Sequence, residues 1–348
     1  MHMADALLSP AVGGIMWTVS AGTIAYSSKK VRQELDDRKA PLMGVLGAFL
    51  FAAQMINFTI PATGSSGHLG GGLLLTILLG PHAAYLTIAS VLVVQALLFA
   101  DGGLLALGCN IFNMGFIPAF IVYPFIYRKI VRSNPGRPRL TTAIMISALA
   151  GLQLGPFAVV LETWFSGISS LPFATFVLLM QPIHCAIGIV EGMVTVAVVT
   201  FVSKARPEIL TFALAARPIG IYPLRGLVVA FLTVAILTGG MVSWFASNKP
   251  DGLEWAIARV IGKEELKGPK RGIHGALAAV QEKTAFMPEY AFKKSPELIL
   301  EVKKTEKGGN EDANDNIGTS TAGIIGTLLT LGLAFGSGFV LKKRNEPA

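Results

Sequence analysis

The sequence predicts an all-α, polytopic membrane protein, with a helical bundle of about seven spans followed by a two-span C-terminal module that carries an extracytoplasmic loop domain. Three observations lead there. Of the 348 residues, 52% are apolar and only 14% charged, and the mean hydropathy is +0.60, a balance unlike that of a water-soluble chain. Apolar windows of about 20 residues, the length a helix needs to cross a ~30 Å hydrocarbon core, recur along the chain. Lys and Arg fall on alternate connections between those windows, as they do when cytoplasmic loops hold the positive charge.

Spans are expected near residues 11–27, 42–60, 83–100, 104–127, 141–165, 174–202, 224–246 and 322–341. A further window, 69–79, is short and Gly-rich; it is a span or a re-entrant piece, because without it the alternation of charged loops fails. The basic connections hold Lys29, Lys30, Arg32, Arg38 and Lys39, then Arg128, Lys129, Arg132, Arg137 and Arg139, then Lys204, Arg206, Arg217 and Arg225, and at the end Lys342, Lys343 and Arg344. Connections 61–68, 101–103 and 166–172 carry no Lys or Arg, and neither do the first ten residues. The rule therefore predicts an N-terminus outside and a C-terminus in the cytoplasm of a multi-pass protein of the cell membrane. A secretory signal peptide has the opposite order, basic residues first. The net charge of +8 is explained by these loops, and no aromatic-interleaved basic surface points to nucleic acid.

Composition divides the chain into a membrane domain over 1–206, a cytoplasmic linker over 207–221 and a second module over 222–348. In that module two spans bracket a charged outer stretch, 248–319, long enough to escape the positive-inside rule. Its start reads as a helix, with Asp251 as N-cap and Glu254 three residues on, and Leu253, Ile257, Val260 and Ile261 on one face. Residues 308–316 have a disordered composition. Cys109 and Cys185 both lie in apolar runs, so neither a disulfide framework nor a CxxC zinc site is available.

The chemistry concentrates in five histidines: His2, His68, His82, His184 and His274. His2 follows Met1 directly, and a large second residue blocks the usual removal of Met1. The terminal amine, the peptide nitrogen between Met1 and His2 and the His2 imidazole can close fused chelate rings on one cation. A fourth nitrogen would complete a plane, a field that suits Ni(II) or Cu(II) once the amide and ammonium protons leave. His68 is the candidate fourth ligand, in an uncharged loop that the charge pattern places on the same face as the N-terminus. Glycines 64, 67, 70, 71 and 72 around it allow close backbone approach. Read alone, a second-position His is ordinarily a chance residue on a frayed end and a loop His is ordinarily solvated.

The head Met1-His2-Met3-Ala4-Asp5-Ala6-Leu7-Leu8-Ser9-Pro10, the Gly67-His68-Leu69-Gly70-Gly71 loop and the seven-span first module resemble the NikM/CbiM substrate-binding component of energy-coupling factor transporters for nickel and cobalt. Pro250-Asp251-Gly252-Leu253-Glu254 resembles the PDGLE signature of the small NikN/CbiN partner. Together these cover nearly the whole chain. The resemblance implies that Met1, His2 and His68 hold the metal, and that Ni(II) or Co(II) is the transported substrate, with no organic cofactor. It also implies that a membrane coupling protein and separate ATPase subunits are the partners. In keeping with that, the chain has no GxxxxGK[ST] phosphate loop, and no HExxH. The head departs from the family's common Met-His-Ile-x-Asp/Glu-Gly at Met3 and at Ala6, where the missing Gly puts the folding of the head in question.

Around this core, Asn57 and Gln54 are candidates to hydrogen-bond a ligand imidazole, Asn57 the better placed, and Asn110 and Asn113 are candidates for the same role or for interhelical contacts. Glu162, His184 and Glu191 are costly within a membrane and functional by default. A small-residue face of the first span, with Gly13, Gly14, Ala21 and Ala25, suits helix packing, and in the family such a face docks the coupling protein. Nickel capture at the outer face is the expected function. The alternatives are cobalt uptake for cobalamin synthesis by the same mechanism, a channel, or an intramembrane metalloenzyme built on His184 and Glu191.

Overall fold

The structure, a computed structural model, describes residues 2–34, 39–131, 136–215, 224–263, 266, 268–269, 271–293 and 311–343. It is helical almost throughout. The long elements are α1 (Pro10–Glu34), α2 (Lys39–Gln54), α3 (Gly72–Leu79) and α4 (Pro81–Leu98), then α5 (Leu107–Val131), α6 (Arg137–Ser166), α7 (Phe173–Ala205), α8 (Pro207–Ala215) and α9 (Arg225–Gly240), and finally α10 (Gly252–Ile261), α11 (Gly272–Thr284) and α12 (Glu311–Lys343). Helices α4, α5, α6, α7 and the 316–341 part of α12 are long and apolar enough to cross a bilayer, and α2 and α9 are shorter apolar helices. Pro118 and Pro124 lie inside α5, where wide π-type turns accommodate the missing amide donors.

Three expectations change. Residues 58–60 are not helical. After α2 ends at Gln54, Phe58–Ile60 (β1) pairs antiparallel with Ser65–Gly67 (β2), Phe58 opposite Gly67. Thr59 and Ile60 are β-branched, and the Pro61 to Gly64 turn that follows uses left-handed backbone at Ala62 and Gly64, so a hairpin wins over a last helical turn. The last helix starts at Glu311 rather than near 322, so residues 311–316 of the stretch with disordered composition are helical; residues 308–310 lie outside the described residues. The 69–79 window forms α3, only eight residues, or about 12 Å of rise, too little to cross a membrane alone.

α3 instead completes a crossing that the loop before it begins. The Gly70 and Gly71 amides donate to the Glu191 carboxylate, at 2.7 and 3.1 Å, in the middle of α7. The loop thus reaches deep into the bundle as irregular backbone and α3 covers the remaining depth. Its far end, Gly80, lies beside Ala213 of α8. Such backbone survives at membrane depth only where protein groups satisfy its N–H and C=O. Glu191 supplies the acceptor, and Gln54 donates to the Gly70 carbonyl at 2.9 Å.

α9 and α12 pack on α2, where Gly44 and Gly47 let Phe335 and Ala334 come close. α9 and α12 cross at Gly239 and Gly323, whose backbones touch so closely that no Cβ fits at Gly323 and one at Gly239 would be tightly packed.

Candidate metal centre

The head of the chain folds inward rather than fraying. Met3 is fully buried and paired through its backbone: its N–H donates to Asn110 Oδ1 at 2.8 Å, and its carbonyl accepts from Gly103 N at 2.9 Å and Asn110 Nδ2 at 3.3 Å. Asp5 accepts from the Ala106 amide at 2.9 Å, and Leu7 and Leu8 sit in an apolar cluster with Leu105, Cys109, Leu253 and Ile257. Ala6 lies in the short 3-10 turn Asp5–Leu7 without left-handed backbone, so the missing Gly costs this fold nothing.

This tethering places His2 against His68. The two rings are nearly parallel, 5° apart, with centroids separated by 5.0 Å, and both side chains are over nine-tenths buried. The rings are close but stacked face to face, and His2 Nδ1 points at Asp101, so a shared ion requires the His2 ring to reorient. His68 Nδ1 donates to the Leu69 carbonyl at 3.1 Å, which leaves the lone pair on Nε2. Burial above all lowers the pKa of His68 to about 3, so its ring is neutral at any physiological pH. Met1 lies outside the described residues. Among the described residues no three His, Cys, Asp or Glu side chains form a ready metal cluster; any set here needs main-chain nitrogen or water to complete it.

Two carboxylates flank the histidines, and neither was singled out as a site residue from sequence. Asp101 Oδ1 lies 2.9 Å from His2 Nδ1, while its Oδ2 accepts from the Tyr290 hydroxyl at 2.6 Å. Burial by itself would raise the Asp101 carboxyl; the His2 imidazole and the Tyr290 hydroxyl outweigh it and hold the group below the usual carboxylate range. Asp251 Oδ2 lies 3.8 Å from His68 Nε2. Its Oδ1 accepts from the Leu253 and Glu254 amides, and Glu254 returns a bond to the Asp251 N–H, a full capping box at the start of α10. The sequence signal for Asp101 was a lone acid in a loop otherwise without charge.

Residues 249–289 of the second module make one wall of this centre. Ser66 donates its amide to the Pro250 carbonyl and its hydroxyl to the Lys249 carbonyl, at 2.8 and 2.7 Å. Trp255 Nε1 donates to Thr63 O at 3.0 Å, Gln281 to the Ala96 and Gly102 carbonyls at 2.9 and 2.7 Å, and the Glu289 amide to Phe99 O at 2.8 Å. His274 Nε2 bonds Leu8 O at 2.8 Å. A cleft of about 650 Å³ remains between the modules, with His2, His68, Asp101 and Asp251 in its lining.

The other candidates are placed as follows. Gln54 holds loop backbone and accepts from Gln95 at 2.9 Å, not from an imidazole. Asn57 lines the cleft, with its backbone carbonyl taken by Ser247 N at 2.7 Å. Asn110 grips the head, and Asn113 Nδ2 donates to Glu162 Oε2 at 2.8 Å. Glu191 is committed to the loop amides. His184 lines a separate cavity beneath His68. On α1, Gly14, Ala21 and Ala25 are exposed, whereas Gly13 packs against Leu105 and belongs to the interior.

Comparison with known proteins fits this arrangement. The family model for the CbiM cobalt uptake substrate-specific transmembrane region matches residues 2–209, and the PDGLE domain model matches 225–343. A metal transport protein of Haloquadratum walsbyi is 38% identical over 212 residues, covering 60% of this chain and 93% of the relative. The fused nickel transport protein of Rhodobacter capsulatus is 25% identical over 310 residues, 84% of this chain and 88% of the relative. A crystal structure of a transition metal transporter superposes with a TM-score of 0.52 at 31% identity, over 59% of this chain and 93% of its own. A buried histidine pair on a multi-pass scaffold, the two matched families and relatives that are transporters rather than enzymes lead to one assignment: the chain is a membrane metal-transport protein of the CbiM family, with a PDGLE domain fused behind it.

Proposed function

We propose that this protein is the substrate-binding component of an ATP-driven energy-coupling factor importer, and that it captures Ni(II) at the outer face of the cell membrane. The ion is held by the Met1 amine, the His2 amide nitrogen and imidazole, and His68 Nε2. The observation that carries the reading is the His2–His68 pair: two buried, near-parallel imidazoles 5.0 Å apart, brought together from positions 66 residues distant by a head that folds inward.

A chelate that includes the His2 amide nitrogen uses Nδ1 of the ring, since only that atom closes a six-membered ring. Nδ1 here faces Asp101. A half-turn of the imidazole about its Cβ–Cγ bond exchanges the two edges: Nδ1 moves to the side away from Asp101, Cδ2 takes its place, and Nε2 takes that of Cε1, a small shift from the Asp101 carboxylate. Asp101 would then accept from Nε2–H and orient the bound ring, as carboxylates do behind metal-ligating histidines. Asp101 and Asp251 also offset the charge of the arriving dication.

The orientation with the N-terminus outside follows the Lys and Arg pattern, and His2, the β1–β2 hairpin, the 99–103 loop and the outer stretch all share one face, as that topology requires. The exposed small face of α1 suits a helix of the membrane coupling protein, and ATPase subunits would supply the energy. Cobalt taken by the same mechanism is the second reading, favoured by the description of the matched family.

One added residue before Met1 leaves every side chain in place and moves the amine. Nickel bound per protein should fall from one equivalent to none for the outer site, and an unchanged stoichiometry would sink the proposal. Titration with Ni(II), Co(II) and Cu(II) in competition decides the metal.

A further inference from the structure

Asp251 reaches the centre from the second module, and its place there is fixed from both sides. Ser66, two residues before His68, donates its amide to the Pro250 carbonyl and its hydroxyl to the Lys249 carbonyl, so β2 holds the chain just before Asp251. Just after it, Gly252 lies against α7: a Cβ there would sit 2.6 Å from Ile183 Cγ2 and 2.9 Å from His184 Cε1. A side chain at that position would push the segment off α7 and carry Asp251 with it. The capping box takes Oδ1 alone. Oδ2 faces His68 Nε2 at 3.8 Å, with the Asp251 and His68 side chains 15% and 8% exposed. The pair lines both the cleft and the narrower cavity beneath His68, so it stands where the two meet.

Neither of the facing atoms has a hydrogen to give the other. His68 carries its proton on Nδ1, which donates to the Leu69 carbonyl. Two backbone amides on Oδ1 favour the charged form of Asp251. Lone pair against lone pair is repulsive, whereas a cation between the two atoms satisfies both. A first-row divalent ion ~2.1 Å from each would see atoms 3.8 Å apart at about 130°. The ~109° of a tetrahedral shell needs them about 0.4 Å closer, an excursion of ordinary thermal size. His2 is not yet open to such an ion, because its Nδ1 lies 2.9 Å from Asp101 Oδ1.

We propose that Asp251 is a metal ligand supplied by the second module. With His68 Nε2 it takes the incoming divalent ion at the foot of the cleft, water filling the other positions, before the His2 ring turns from Asp101 and the nitrogen chelate closes. One imidazole, one carboxylate and water accept Ni(II) or Co(II) but hold it less tightly than four nitrogens, as a loading position must. The proposal rests on the chelate reading for where the ion goes next, and not for the pair itself.

The test uses the purified full-length protein in detergent, mixed rapidly with Ni(II) and followed by the quenching of tryptophan fluorescence. Asp251→Asn should load about tenfold more slowly than wild type, and a wild-type rate overturns the proposal. Asp101→Asn removes the same charge from the same cleft but should act on dissociation, with loading near the wild-type rate; equal slowing in the two variants reduces Asp251 to a charge and overturns its role as a ligand. Contact is read in His2→Ala, which cannot close the chelate. Titrated with Co(II) and followed by visible absorption, it should keep a weak equivalent that the double variant with Asp251→Asn lacks, and the same residual binding in both overturns the pair. If Asp251→Asn does not fold, Asp251→Ser replaces it, because a serine hydroxyl caps the helix but is too short to meet an ion on His68; the same slowing is expected and a wild-type rate overturns the proposal. Should one residue added before Met1 leave tight nickel binding unchanged while Asp251→Asn still loads slowly, the chelate reading fails and the loading pair stands.

Discussion

At the scale of single residues, the centre is decided by which atom faces which. Asp101 has one oxygen on His2 and the other on Tyr290, so it transmits the position of the second module to the proposed chelate. Asp101→Asn keeps the size but offers the imidazole only a neutral acceptor, and should weaken nickel binding by roughly 10–100-fold. Tyr290→Phe should have a smaller effect in the same direction, and calorimetry with the full chain checks both. The pH dependence has a definite sign. His68 is already neutral, its pKa lowered to about 3 by burial, so it sheds no proton on binding; the amine and the amide do. Affinity should therefore rise with pH, by about tenfold per unit for each proton released below the usual amine pKa near 8. A flat profile between pH 6 and 8 would exclude the amine as a ligand. His2 and His68 could be named from sequence because their chemistry is local: a His beside a terminal amine and a His in an uncharged glycine loop. Asp101 and Tyr290 could not be joined that way, because nothing local links positions 189 residues apart.

The elements show why one acidic residue in the membrane is structural. Glu191 satisfies the amides of Gly70 and Gly71 so that the loop can reach the depth at which α3 begins. Glu191→Gln retains one good acceptor and loses charge assistance, so it should destabilise the loop by about 1–3 kcal/mol and loosen the His68 site. Proteolysis of the 58–71 segment reads the loosening directly, and equal protection in both proteins would contradict it. The capping box of α10 was visible in the spacing of Asp251 and Glu254, since such a motif spans only four residues. The half-length of α3 was not, because hydropathy reports burial and says nothing of where the chain turns.

Over the whole molecule, the two modules interlock at both the centre and the membrane. α9 and α12 cross at Gly239 and Gly323 and rest on α2, while residues 249–289 bond the hairpin, the 99–103 loop and the head. Gly323→Val leaves the metal centre untouched and should separate the crossing spans, lowering the melting temperature of the full chain by several degrees. Ala21→Trp, on the exposed face of α1, should leave metal stoichiometry intact and abolish co-purification with the proposed coupling protein. Retained co-purification would move the docking surface elsewhere.

The sequence by itself determined the class and most of the apolar helices, though not all their ends, and it offered the two histidines as candidates. Each is carried by composition, by a period, or by neighbours along the chain. Only the tertiary structure decided that the PDGLE segment lies against His68, that a half-span reaches the middle of the bundle, and that two aspartates flank the histidine pair. Those contacts join residues far apart in the chain. In a membrane, where apolar surface does not distinguish one neighbour from another, they are fixed by close backbone packing and by the need to satisfy every buried polar group.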